Sequence, residues 1–393
     1  MTSTTGAPRV FLHVGSPKTG TTFLQQVIWS QRELAAQQGL TLPLSTFHDQ
    51  FLATLDVRGL GGRAPHPSDS AGAWNRLVAD ALTHSGNVLV SHELFAAASK
   101  DQARKAVGWF GTGVEVHVVI TARDLVRQVS AEWQEHVKHR AVVDLEGFVH
   151  QLRTNAAERK GWFWLVQDYA DLVSRWGSTL PPERVHIVTV PPEGSSRELL
   201  WERFAGLIGL DPASFDTESS RTNTSLGGEQ AEVLRRVNVA LGDRLPFPGP
   251  YAGVAKDVLA HRVLAGRDGT KLALKPGDTE FARVESQRIA DALAASGVDI
   301  VGSLDDLVPA VDEIASSESA YEQATASVLL EESIAALADL LVVMAERVDL
   351  QQHQGEVIES LRRNPLKAAL SQAGEERPKL GRALGAVRKL RQS

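Results

Sequence analysis

Short apolar runs alternate with stretches of helical spacing along most of the chain. Arg9 to Val14 (RVFLHV) is an apolar, β-rich run that predicts a buried strand, and a turn rich in Gly, Ser, Pro, Lys and Thr follows it. From Thr21 to Gln38 the apolar positions fall at helical spacing and stop at Gly39, a usual helix terminator. Asn87 to Ser91, Val114 to Thr121 and Arg184 to Val190 predict further buried strands; helical spacing follows each, resuming at Ser196 after the last. Strands alternating with helices predict an α/β fold, a central parallel sheet with helices on both faces. Ligands of such sheets sit beyond the carboxyl ends of the strands. Three segments fall there: Gly15 to Thr22, Ser91 to Glu93, and the stretch from Ala122 onward.

Gly59 to Gly72 and Leu245 to Gly253, rich in turn formers, predict loops, and no internal repeat is present. Asp299 to Pro309 reads as the end of an α/β domain over residues 1–310. A helical extension over 311–361 follows, patterned from Ser319 to Leu361, and then a basic tail over 362–393. In the extension Val328, Leu329, Ile334, Leu337, Leu340, Leu341 and Met344 recur at helical spacing. That stripe needs a covering surface, either the α/β domain or a second copy of the chain, so a homodimer through these helices is one arrangement. The tail carries nine basic and two acidic residues, a local +7, and is expected to be flexible and solvated.

Composition narrows the chemistry. With 393 residues, 43% of them hydrophobic and 23% charged, the chain can bury a full core. The absence of cysteine excludes disulfides, thiolate metal sites and a Cys nucleophile. No secretory pattern opens the sequence and no apolar run approaches a membrane span, so a soluble, cytoplasmic protein is expected. A net charge of −7 gives no general attraction for polyanions, so no nucleic-acid partner is expected and any anion must be held by local groups.

The turn after the first strand supplies such groups. A strand, a loop with two glycines and then a helix forms a phosphate cradle, because free backbone N–H groups and the positive end of the helix dipole face an anion. Gly15 and Gly20 have the separation of the nucleotide P-loop, but Thr21 stands where that motif has its lysine, and the lysine lies inside the loop, at Lys18. Nor does a strand end in an aspartate suited to magnesium: Asn87 to Ser91 and Val114 to Thr121 both end in hydroxyl residues.

Pro17-Lys18-Thr19-Gly20-Thr21-Thr22, continuing to Gln25, resembles the 5′-phosphosulfate loop of sulfotransferases that use 3′-phosphoadenosine 5′-phosphosulfate (PAPS). Asp299 to Pro309 and Arg184 to Pro192 look like segments of bacterial, actinobacterial-type sulfotransferase-like proteins. The resemblance implies PAPS as co-substrate with no metal. Thr21, Thr22 and loop amides would hold the 5′-phosphate, and Lys18 would meet the oxygen bridging phosphorus and sulfur, where charge grows as that bond breaks. The family also grips the 3′-phosphate with an Arg just after a central strand and a Ser about eight residues on. Here Arg123 stands at the strand end; Ser130 is seven residues on, roughly the same helix face, and the eighth position is Ala131. Asn223 and Ser225, in the polar Arg221 to Leu226 (RTNTSL), either add donors to the 3′-phosphate or adenine or simply cap the following helix.

Sulfuryl transfer needs a base for the acceptor proton, in this family a His or a carboxylate. His92 and Glu93 leave a strand on its active edge, in VLVSHELF; successive side chains diverge, so one of the two would face the donor. His48, in the Pro43 to Phe51 loop, is a third candidate. His136, Lys138, His139 and Arg140 form a basic cluster that either attracts an anionic acceptor or is a solvated helix end. The acceptor class stays open between a small molecule, a carbohydrate and a lipid, its pocket shaped by the loops from Leu42 to Gly72 and from Leu245 to Lys275. Two other readings remain, a P-loop nucleotide phosphotransferase and a non-catalytic binding protein on the same fold.

Overall fold

Six strands build one sheet: β1 (Arg9–Gly15), β2 (Leu40–Thr41), β3 (Asn87–Ser91), β4 (Glu115–Ala122), β5 (Val185–Thr189) and β6 (Asp299–Val301). They lie in the order β2-β3-β1-β4-β5-β6, and every pairing is parallel. The computed structural model describes residues 8–218, 226–247, 249–309 and 325–363. Its helices are α1 (Thr21–Ser30), α2 (Arg32–Gln37), α3 (Phe47–Val57), α4 (Ala73–Ala81), α5 (Lys100–Gly108), α6 (Leu125–Lys138) and α7 (Leu145–Asn155). After these come α8 (Trp162–Gln167), α9 (Tyr169–Trp176), α10 (Glu198–Ile208), α11 (Gly228–Leu241), α12 (Pro276–Ser296) and α13 (Ala326–Arg363), with a π-helical segment over Ala252–Leu264 before α12.

The strands read as unbroken apolar runs because helices cover both faces of the sheet. On one face Phe11, Leu89, Val119 and Val188 pack against Leu24, Val27 and Ile28 of α1 and Trp201, Phe204 and Ile208 of α10. Alternate residues Leu12, Val90, Ile120 and Ile187 are buried on the other face. Here α9 packs on β4, and Trp176 meets Phe95 edge to face at 6.1 Å. The chain leaves β1 toward β3 on one side and leaves β4 toward β5 on the other, so a crevice opens at the carboxyl ends of β1 and β4. The loop after β1 and Arg123 after β4 meet at that crevice.

Several expectations need correction. The helical spacing from Thr21 to Gln38 is broken at Gln31, whose φ of −124° and ψ of 33° separate α1 from α2. Asp299 to Pro309 does not merely end the domain. Its first residues form β6, and Asp299 accepts a hydrogen bond from His186 at 2.7 Å. The Leu42 to Gly72 region contains α3, opened by a capping box in which Thr46 and Asp49 satisfy each other's backbone N–H. The Leu245 to Lys275 region contains the π-helical segment.

By compactness the chain divides into two units, Met1–Leu329 and Leu330–Ser393. In the second, Ile334, Leu337, Leu341 and Met344 of α13 are each more than half exposed. Residues 364–393, most of the basic tail, lie outside the described residues. Among the described residues no helix is long and apolar enough to cross a membrane.

One glycine controls how the crevice closes. Gly15 has a φ of +103°, and a Cβ there would lie 2.8 Å from the Cα of Glu93 and 3.0 Å from its carbonyl oxygen. Gly15→Ala is therefore expected to destabilise the protein by about 1–3 kcal/mol in urea unfolding. An unchanged unfolding midpoint would mean that the Glu93 backbone moves aside freely.

Candidate functional site

The loop between β1 and α1 is held from below by buried polar groups. The Pro17 carbonyl accepts from Gln128 Nε2 at 3.0 Å and Gln167 Nε2 at 3.1 Å, and the Lys18 carbonyl accepts from Arg123 at 3.3 Å. Lys18 itself sits at a φ of +62°, a strained conformation that persists because these contacts over-determine it. Thr19 turns inward: its hydroxyl is 2.5 Å from both the Ser16 carbonyl and the Thr121 hydroxyl, and its side chain does not line the cavity. Pro17, Lys18, Gly20, Thr21 and Thr22 do line it. No side chain among the described residues caps α1, so its first N–H groups remain available to an anion.

The hydroxyls that end β3 and β4 also serve the fold. His13 joins Ser91 at 2.7 Å and Thr121 at 3.2 Å through its two ring nitrogens, and Gln25 donates to Ser91 Oγ at 3.1 Å. Complete burial lowers the His13 pKa to about 3, with His92 adding to the shift.

The cavity over the loop has a volume of about 900 Å³. His92 and Glu93 both line it. The His92 ring lies stacked on Phe47 at 5.3 Å, and its Nδ1 accepts the Leu94 amide at 3.2 Å. A ring nitrogen that accepts a hydrogen bond carries no proton, so the proton of neutral His92 is on Nε2. Burial pushes the His92 pKa down. The Glu93 carboxylate, 27% exposed, accepts from Gln25 at 3.5 Å and lies 3.8 Å from His92 Nδ1. His48 lies on the exposed surface of α3 and does not line the cavity.

Helix α6 contributes Glu135, whose carboxylate is shared by three lysines. Lys18 donates to it at 2.6 Å and Lys256 at 3.2 Å, and Lys138 lies 4.0 Å away. Burial alone would raise this carboxyl, but Lys18 and Lys256 beside it hold it well below the usual range. Glu132, one turn earlier, is pushed up by burial despite His136 and Lys18 nearby.

A second cavity of about 600 Å³ adjoins the first; both are lined by Arg123, Ala131 and Gln134. Ser130, Arg127 and Lys271 also line it. Arg127 pairs with Asp124, as helix-start geometry favours, and donates to the Pro191 carbonyl at 3.1 Å. Arg123 is partly buried, its pKa lowered by burial and by Arg127, and its Nε, itself closed off from solvent, has no hydrogen-bond partner among the described residues. A guanidinium N–H buried without a partner is costly. Asn223 and Ser225 lie outside the described residues.

Glu135, Lys256, His261 and Arg197 line the first cavity without having been singled out from the sequence. For Glu135 a signal existed: it stands three residues before Lys138 on α6, a separation that shares a helix face. Lys256 and His261 had none, because they share a wall through π-winding, seen in the bond from the Ala265 N–H to the Ala260 carbonyl.

No protein-family model matches the chain, and no curated protein matches it either. The crystal structure of a sulfotransferase from Alicyclobacillus acidocaldarius aligns with 66% of this chain and 99% of its own, at 15% identity and a TM-score of 0.38. So low a likeness carries nothing about this chain's chemistry, which rests on its own residues.

The buried histidine behind the loop makes stability depend on pH. The folded pKa of His13, about 3, lies below the ~6.5 of an unfolded histidine, so between these values the unfolded chain binds a proton that the fold refuses. Its contribution is full above pH ~6.5 and is lost as pH falls toward the folded value. His13→Gln is expected to reduce the pH slope of the unfolding free energy by about 1.4 kcal/mol per unit between about pH 4 and 6. An unchanged slope would show the ring to be protonated in the fold.

Proposed function

We propose that the chain transfers a sulfuryl group from PAPS to a hydroxyl or amine of an acceptor. One observation carries the reading: an uncapped loop-helix cradle with its lysine inside the loop adjoins, across Arg123, a second cavity bearing Ser130, Arg127 and Lys271. An elongated donor with an anionic group at each end fits two such cavities. The phosphosulfate end belongs over Lys18, Thr21 and Thr22, and the 3′-phosphate belongs at Arg123 and Ser130, which line the second cavity.

The acceptor oxygen attacks sulfur while the bond from sulfur to the bridging oxygen breaks. The electron pair stays on the bridging oxygen, leaving adenosine 3′,5′-bisphosphate, and the acceptor proton goes to a base. Glu93 suits that role better than His92, whose Nδ1 already accepts the Leu94 amide and whose Nε2 holds the proton. Lys18, released from Glu135, would meet the charge developing on the bridging oxygen.

Lys18→Ala is expected to lower turnover about 10²- to 10³-fold while PAPS affinity falls less. Equal losses in both would make Lys18 a ground-state anchor. Arg123→Ala should weaken PAPS about 10- to 100-fold more than adenosine 5′-phosphosulfate, which lacks the 3′-phosphate. The reading as a whole is tested by calorimetry with PAPS and with ATP plus magnesium, and by turnover in EDTA. PAPS binding and metal-free turnover are expected. A strict magnesium requirement would return the phosphotransferase reading, and PAPS binding without turnover on any acceptor would leave a binding protein.

A further inference from the structure

Beyond the loop, the first cavity ends in a corner with more positive charge than the protein itself balances. Lys138 lies on α6 with its side chain only 7% exposed, and its ammonium makes no hydrogen bond among the described residues. Its one ion-pair partner is Glu135, at 4.0 Å, a carboxylate already engaged by Lys18 at 2.6 Å and Lys256 at 3.2 Å. The two histidines here relieve nothing. His139 Nε2 accepts from the Lys256 ammonium at 2.6 Å, and burial beside that lysine lowers the His139 pKa to about 4. His261, one π-turn on from Lys256, is likewise pushed down by burial and by Lys138. Burial and the neighbouring Lys18 lower Lys138 itself to about 8, so at neutral pH it still carries its charge.

An ammonium on a buried stem without a full partner is costly, and one that faces a cavity is open to an anionic ligand group. The cavity's other carboxylates do not meet it: Glu132 is tied to Gln167 at 3.0 Å, and Glu93 lies beside Gln25 and His92. The donor does not meet it either, since its 5′ end takes Lys18 and its 3′ end lies past Arg123. Drawing Lys18 to the donor leaves Glu135 facing Lys138 and Lys256 alone, one negative charge against two positive.

We propose that Lys138 and Lys256, flanked by the neutral rings of His139 and His261, bind an anionic group on the acceptor, so that the acceptor is a hydroxyl or amine compound carrying a carboxylate, phosphate or sulfate. This rests on the sulfuryl-transfer reading and adds the acceptor's charge to it. A neutral sugar or a plain alcohol would leave the corner unpaired and bind correspondingly worse.

The test separates the two claims by using inorganic sulfate as the probe, titrated calorimetrically into protein saturated with adenosine 3′,5′-bisphosphate. One sulfate per chain is expected. Lys138→Met should weaken it about tenfold or more and leave the bisphosphate affinity unchanged. Lys256→Met, at a more exposed position, should weaken sulfate in the same direction and carries the test if the buried variant does not fold. Absence of sulfate binding, or binding that survives both substitutions, overturns the proposal. Lysine-dependent sulfate binding in a protein that ignores the bisphosphate would keep the anion corner and sink the donor reading instead.

Discussion

A trans peptide puts its N–H and its C=O on opposite sides, so fixing one fixes the other. The Pro17 carbonyl is held inward by the amides of Gln128 and Gln167, and the Lys18 carbonyl by Arg123. The N–H groups of Lys18 and Thr19 are thereby turned away from that buried wall. The left-handed backbone at Lys18 and the inward hydroxyl of Thr19 follow from the same pinning. A loop built this way is rigid before any ligand arrives, so little ordering entropy is lost on binding.

The pinning residues come from elements that also wall the cavities. Gln128 and Arg123 flank the start of α6, the helix that supplies Ser130 to the second cavity and Glu135 and Lys138 to the first. Gln167 both holds Pro17 and donates to Glu132. Displacing α6 would disturb loop, cavities and charge cluster together. On the opposite side Gly15 lets β1 approach the Glu93 backbone, which brings that carboxylate to the cavity.

Glu135 sets the electrostatics of the site. Three lysines around one carboxylate leave a net positive cavity in a chain whose overall charge is −7, so attraction for anions is local. It also gives Lys18 a partner to exchange. On the proposed reading, an arriving phosphosulfate competes with Glu135 for that ammonium, and the lysine moves to the charge it is meant to stabilise.

The parallel sheet and its alternation of strand and helix were legible in the sequence, because each strand, loop and helix leaves a local pattern. RVFLHV reads as a strand covered on both faces, and a lysine within PKTGTT differs visibly from a P-loop lysine. Local pattern also pointed to His92 and Glu93 at a strand end, but not to the Leu94 amide that occupies the imidazole Nδ1. β2 and β6 were missed because strands of two and three residues, Leu40–Thr41 and Asp299–Val301, hold no period and exist only by pairing with a sheet already formed. The corner made by Lys138 and Lys256 lies furthest from sequence reasoning. It joins positions 118 residues apart through a π-wound helix, and the burial that gives those charges their force is a property of the packed cavity.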